Sequence, residues 1–248
     1  MTDLLKIISV SSFFLAFVFG GQAFADGYQE IGTAEVKALM ERDKKILTVF
    51  PLSKIEYDNL HIAGAVHIPI EELAKKLPAD HSQPLIFYCI GEKSTASWRA
   101  AAIASKLGYL HVYAYREGLP AWVTAGNPTM SGEKLPDGWV QKMTTEELSA
   151  KLLHNDNVVL LDCNLKADTQ KLRVDSAKRI YIPLEELHTR YKELPRNKEI
   201  AVICLTGSRS PTAVRFLLSK GFPTVFSVDG GVQKWVAEKR PIIRNIGG

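Results

Sequence analysis

The chain has little cysteine: Cys89, Cys163 and Cys204 are its three cysteines in 248 residues. Three is too few for a disulfide framework and too few for a cysteine-based zinc site. No charge sign dominates either. Thirty-one basic residues stand against 27 acidic ones, a formal net charge of +4, and no basic run marks a nucleic-acid partner. Low-complexity stretches are lacking as well. The longest apolar stretch, Ser9 to Gly20, is shorter than the ~20 residues that span a bilayer. It follows Lys6 and precedes Ala23-Phe24-Ala25, a small-x-small cleavage pattern. Residues 1–25 are therefore expected to be a signal peptide, with Asp26 opening an exported, periplasmic or secreted chain that keeps no stable membrane span. No cysteine sits at that point to carry a lipid.

What the sequence does have is a repeat. TAEVKALMERDKKILTVF (Thr33 to Phe50) recurs as TEELSAKLLHNDNVVLLD (Thr145 to Asp162), and HIPIEEL (His67 to Leu73) as YIPLEEL (Tyr181 to Leu187). YAYREGLPAWVTAGNP (Tyr113 to Pro128) recurs as FSVDGGVQKWVAEKRP (Phe226 to Pro241). The offset stays between 112 and 115 residues throughout. Two copies of one domain of roughly 110 residues follow from it. The expected boundaries are 26–128 and 143–248, with the Gly-, Pro- and charge-rich stretch 129–142 as linker. Each copy alternates short apolar strands with amphipathic helices, the pattern of an α/β fold with a small parallel sheet covered by helices on both faces. In the second copy Thr145 is expected to cap a helix carrying Leu148, Leu152 and Leu153. Strands are expected at Val158 to Asp162, Arg179 to Pro183, Glu199 to Ile203 and Thr224 to Val228, with a short helix at Leu184 to Tyr191.

The chemistry is written most clearly in CLTGSRS, Cys204 to Ser210, between an apolar strand and a helix opening Ser210-Pro211. Ser210 is a suitable N-cap and Pro211 suits the first helical position. Loop amides and a helix N-terminus aimed at the sulfur favour its thiolate, and Arg209 is expected to add a full charge. Gly207 lets the backbone curl so that its N–H groups face inward. The first copy repeats the layout around Cys89, but 19 positions separate Cys89 from Gly108 where 17 separate Cys204 from Gly221. Arg209 has no counterpart there beyond Lys93 and the more distant Arg99.

In these motifs the chain resembles the rhodanese (thiosulfate sulfurtransferase) family. The likeness rests on Cys-x-x-Gly-x-Arg-Ser at Cys204, on Gly230-Gly231 with Trp235, and on HIAGAVHIP from His61 to Pro69. It departs in lacking an Asp-x-Arg at the end of the first strand: Phe50-Pro51 and Asp162-Cys163 stand there instead. DSAKRIYIP, from Asp175, replaces the usual His and Gly. The resemblance implies two tandem rhodanese-like domains in which Cys204 takes sulfane sulfur from thiosulfate or a similar small anion as a persulfide. A thiophile, such as cyanide, a thiol or a protein acceptor, then removes it. It also implies that Leu205, Thr206, Gly207, Ser208 and Ser210 bind the substrate with Arg209, and that Lys93 does so beside Cys89, the second candidate nucleophile. No metal or organic cofactor is implied.

Other readings stay open at this point. A cysteine phosphatase or arsenate enzyme needs arginine six positions after its cysteine, where this chain has Ser210 and Thr95. A non-catalytic sulfur carrier or docking module needs no turnover at all. Cys163 is expected to fill a gap in the core rather than pair with a loop cysteine. Glu71-Glu72 and Glu185-Glu186 are expected on exposed helices as solubility and capping residues, and His61 and His67 are expected to fix the turn before Pro69.

Overall fold

A computed structural model describes residues 27–155 and 157–245. The expected signal peptide lies outside the described residues. The first unit runs β1 (Gln29–Glu30), α1 (Thr33–Arg42), β2 (Leu47–Phe50), α2 (Lys54–Asn59), β3 (His61–Ile62), β4 (Val66–His67), α3 (Leu73–Lys76), β5 (Leu85–Tyr88), α4 (Ala96–Lys106), β6 (Val112–Tyr115), α5 (Gly118–Thr124) and β7 (Thr129–Met130). The second runs β8 (Lys142–Met143), α6 (Thr145–His154), β9 (Val158–Asp162), α7 (Lys166–Lys171), β10 (Leu172–Val174), β11 (Arg179–Tyr181), α8 (Leu184–Arg190), β12 (Glu199–Ile203), α9 (Ser210–Ser219), β13 (Val225–Val228), α10 (Gly231–Ala237) and β14 (Ile242–Arg244).

Each unit holds a five-stranded sheet, ordered β1-β6-β5-β2-β4 in the first and β11-β9-β12-β13-β8 in the second. Every pairing within these two sheets is parallel. Parallel neighbours need crossovers, and the helices supply them. The central strands β5, β9 and β12 are buried on both faces, so they read as near-continuous apolar runs. Val159, Leu161, Ile200 and Val202 enter one core cluster, while Val158, Leu160, Ala201 and Ile203 enter the other. This period-two alternation is the two-sided burial of a covered sheet.

Local differences from the sequence reading have identifiable causes. Thr144, not Thr145, caps α6, because its hydroxyl accepts from Glu147 N at 3.1 Å while Thr144 N donates to Glu147 Oε2 at 2.7 Å. That is a capping box. Leu148 is buried, whereas Leu153 is on the exposed side. Thr129 and Met130, expected in the linker, pair antiparallel with Ile62 and His61 and so belong to the first unit. α7, β10 and the β10–β14 ribbon carry no clear periodicity and were not legible in sequence. His61 Nδ1 lies 2.8 Å from Tyr57 O and His67 Nε2 2.7 Å from Leu52 O, so both histidines tie the segment before Pro69 to α2 and the end of β2.

The units are docked rather than strung apart. Ile55 of α2 and Leu135 lie in the core cluster of the second unit, and Leu165 lies in a core cluster of the first. The loops at the C-terminal ends of β5 and β12, where chemistry collects in open parallel sheets, meet at this junction.

Candidate active site

β12 ends at Ile203 and hands over directly to Cys204, which is 1% exposed at the C-terminal edge of the second sheet. Its Sγ accepts from Arg209 N at 3.3 Å and Ser210 N at 3.4 Å. Main-chain donors converging on sulfur at the start of a helix stabilise negative charge there. Arg209 caps α9, so Ser210 is the first helical residue rather than the cap. Freed from capping, Ser210 Oγ sits 3.8 Å from Cys204 Sγ and shares a 2.8 Å hydrogen bond with Ser227 Oγ.

The curl of the loop depends on a second backbone. Val232 N donates to Cys204 O and Gln233 N to Leu205 O, each at 2.9 Å, so α10 holds the loop from behind. Gly231 permits this approach: it has φ +60°, and a Cβ there would fall 2.1 Å from Cys204 O. Gly207, at φ +81°, turns the loop beside Gly230. The loop's own hydroxyls are linked, Thr206 Oγ1 to Ser208 Oγ at 2.9 Å.

The Arg209 side chain goes elsewhere than the sequence suggested. Its Nε donates to Glu56 Oε1 at 3.0 Å, and its Nη2 donates to Glu56 Oε2 at 2.8 Å and Glu185 Oε1 at 2.6 Å. Both carboxylates are buried, at 2% and 8% side-chain exposure. The guanidinium is thus committed to two acids, one from each unit, instead of standing free to meet an anion. Burial opposes its charge, but Glu185 and Glu56 outweigh that and keep it protonated. Burial raises the Glu185 carboxyl, with the like charge of Glu56 adding to it, while Arg209 pulls the other way. Among the described residues Glu185 Oε2 has no hydrogen-bond partner. Glu185 is therefore no surface solubility residue. Its place beside a buried arginine has no signature in local sequence.

Asp162, at the strand end where an arginine was missed, is also satisfied. Arg179 Nη2 lies 2.7 Å from its Oδ2, Thr169 Oγ1 donates to the same oxygen at 2.7 Å, and Asn164 N and Nδ2 donate to Oδ1. Arg179, from β11, supplies a cationic partner where Asn164, two positions after Asp162, carries no charge. Cys163 is fully buried and donates to Ile203 O at 3.3 Å. Burial pushes its thiol well up, and the neighbouring Cys204 adds to that. Both features fit a core thiol.

Cys89 occupies the equivalent position after β5 but has the opposite environment. Its Sγ donates toward Gly91 O and Ser97 Oγ, both at 3.4 Å, and faces the carbonyls of Arg116 and Ser94 at 3.8 and 4.0 Å. Among the described residues no backbone N–H donates to it. Its longer loop presents carbonyl acceptors to the sulfur where the Cys204 loop presents N–H donors. Cys89 is wholly buried, while the loop that follows it reaches outward.

That loop walls the Cys204 site. A narrow cleft of about 30 Å³ is lined by Leu205, Thr206, Ser208 and Arg209 of the second unit and by Lys93, Ser94 and Thr95 of the first. An ion pair joins the two sides, with the single nitrogen Arg99 Nη1 donating to both Asp168 Oδ1 and Oδ2, at 2.9 and 2.8 Å. Gly207 and Ser210 shape and back the loop without lining the cleft. Glu56, Glu185, Arg99 and Asp168 escaped the sequence reading because their partners lie far along the chain, up to 153 residues away.

Comparison with known proteins matches this architecture. The family pattern described as Rhodanese-like domain matches residues 33–125 and 144–238. A sulfurtransferase of Allochromatium vinosum is 26% identical over 104 residues, covering 42% of this chain and 95% of that protein. A provisionally named sulfur carrier protein of Bacillus subtilis is 26% identical over 175 residues, 70% of this chain and 92% of that protein. Among solved structures, a thiosulfate sulfurtransferase from Pseudomonas aeruginosa aligns over 88% of this chain and 44% of that one, at 19% identity and a TM-score of 0.44.

Proposed function

The chain belongs to the rhodanese-like family, carrying two such domains in tandem, and from that premise we propose that it moves sulfane sulfur from thiosulfate or a similar small anion through a persulfide on Cys204. The fold and the sulfurtransferase relative support sulfur transfer in general. The observation that carries the finer reading is Cys204 Sγ receiving two main-chain N–H bonds beside a cleft.

In the first step the Cys204 thiolate attacks the outer sulfur of thiosulfate. The new S–S bond forms as the S–S bond to sulfite breaks, and sulfite leaves with its electron pair: Cys–S⁻ and S–SO₃²⁻ become Cys–S–S⁻ and SO₃²⁻. In the second, a thiophile such as cyanide attacks the terminal sulfur, giving thiocyanate and restoring Cys–S⁻. Two easier displacements replace one difficult transfer. The amides of Arg209 and Ser210 face the sulfur in both states, as oxyanion-hole donors face an alkoxide. With Cys204 almost fully buried, a small donor fits this site better than a protein surface does. Export belongs to the same reading and is supported by the leader-like residues 1–25.

Thiosulfate-to-cyanide transfer, with intact-mass detection of a one-sulfur adduct, tests the assignment. Cys204→Ser is expected to lose adduct and turnover, and Cys89→Ser to keep both. Full turnover in Cys204→Ser would sink the reading. An adduct without turnover would leave a sulfur carrier.

A further inference from the structure

The charges around the Cys204 cleft do not add up to an anion site if the second unit is considered alone. Arg209 is consumed by Glu56 and Glu185. Arg99, which reaches the cleft wall from α4, is consumed by Asp168. The remaining cation on the lining is Lys93, and it comes from the other unit. Among the described residues its ammonium forms no ion pair and no hydrogen bond. It is exposed and lies on the loop facing Leu205, Thr206 and Ser208. Its charge also reaches the second unit: the Asp229 carboxyl, at the end of β13, is held low first by Lys234 and in smaller part by Lys142 and Lys93.

The first unit's loop has therefore lost one use and is placed for another. Its cysteine is sealed behind carbonyls, and its loop, Cys89 to Thr95, is one residue longer than Cys204 to Arg209 and meets the neighbouring cleft. We propose that Lys93 is the donor-binding cation of the Cys204 site, holding the sulfonate oxygens of a thiosulfate-like anion across the domain boundary. This deepens the sulfurtransferase reading and rests on it. The flexible stem of lysine suits a point-charge contact with an anion whose sulfur must still approach Cys204. The position also sets a preference, since dianionic donors gain from Lys93 and neutral ones do not.

The test compares Lys93→Gln, Lys93→Arg and Lys37→Gln, the last removing an equal charge from the exposed face of α1. Lys93→Gln is expected to raise KM for thiosulfate about tenfold, about 1.4 kcal/mol of binding, with kcat changed less than about twofold. Lys93→Arg is expected to restore most of the loss and Lys37→Gln to show none. With neutral dimethyl trisulfide as donor, the Lys93→Gln penalty is expected to vanish. An unchanged KM for thiosulfate, or an equal penalty with both donors, overturns the proposal. Calorimetric titration of thiosulfate into Cys204→Ser, with and without Lys93→Gln, reads the contact without turnover. Binding that weakens only with Lys93→Gln supports Lys93 even if the wild type proves to turn over nothing, and binding indifferent to Lys93 removes it even if turnover is normal.

Discussion

Replacing Glu56 by glutamine should change sign in its effect on stability depending on whether Arg209 is present. In the wild type, Glu56 receives two bonds from Arg209, at 3.0 and 2.8 Å, and two from Ser53, at 3.0 and 2.6 Å. Charge-assisted bonds of this kind contribute roughly 1.5–3 kcal/mol each. Glu56→Gln weakens both Arg209 bonds, but Glu185 still balances the guanidinium, so the net loss is about 2 kcal/mol. That lowers Tm by about 4–8 °C for a chain of this size. Arg209→Met is worse, because it leaves Glu56 and Glu185 buried together without a cation, and stranding buried charge costs about 3–5 kcal/mol. In that background Glu56→Gln removes one of the two stranded charges and should recover about 1–2 kcal/mol. The double-mutant cycle is read by urea unfolding of the full chain, with intrinsic fluorescence and far-UV circular dichroism followed in parallel to check for a single transition. If Glu56→Gln destabilises by the same amount in both backgrounds, its role is the capping box with Ser53 alone, and the account of an ion cluster joining the units is wrong.

Two further outcomes follow from the same geometry. Gly231→Ala places a methyl group 2.1 Å from Cys204 O at φ +60°; it should cost more than ~3 kcal/mol and abolish persulfide formation. Gly64→Ala, at φ +81° with nothing within 4 Å, should cost only the backbone term of about 1–2 kcal/mol, and equal urea midpoints for the two would refute the argument from close approach. Burial raises the folded-state Glu185 carboxyl above its unfolded value, so its proton favours the folded form. Its contribution to stability is therefore greatest below the ordinary carboxylate range near ~4.3 and is lost as pH rises through the folded value. Wild type minus Glu185→Gln should fall across that window and then level off; stability curves that run parallel in pH would show that Glu185 titrates as an ordinary surface acid.

The amino-acid pattern reveals those parts of the molecule that depend on neighbours in sequence. Val158 to Asp162 and Glu199 to Ile203 are strands at the expected residues because an apolar run bounded by polar segments has few other uses in a covered parallel sheet. The repeat places Trp122 and Trp235 at equivalent sites, and each donates its indole N–H to a following proline carbonyl, Pro128 O and Pro241 O, at 2.9 and 2.8 Å. The Cys204 loop is legible for the same reason, since its strand, glycine and helix start are contiguous. What depends on docking is not legible. Arg209 sits in the motif, but the destination of its side chain is fixed by Glu56 in the other unit. Lys93 looks like a weak substitute for an arginine beside Cys89, and only the placement of the units brings it to Cys204. Glu185 looks like any acid at the start of a short helix until α2 packs over it.

The segment from Ser131 to Gln141, which joins the units, also has a thermodynamic role. Because both halves belong to one polypeptide, their docking is unimolecular, and the tether keeps each at an effective concentration in the millimolar range for the other. An interface of modest affinity then suffices to hold the cleft assembled at any dilution. Cleavage within that segment would turn docking into a bimolecular equilibrium, and the specific activity of the nicked protein would decline on dilution while that of the intact chain stayed constant.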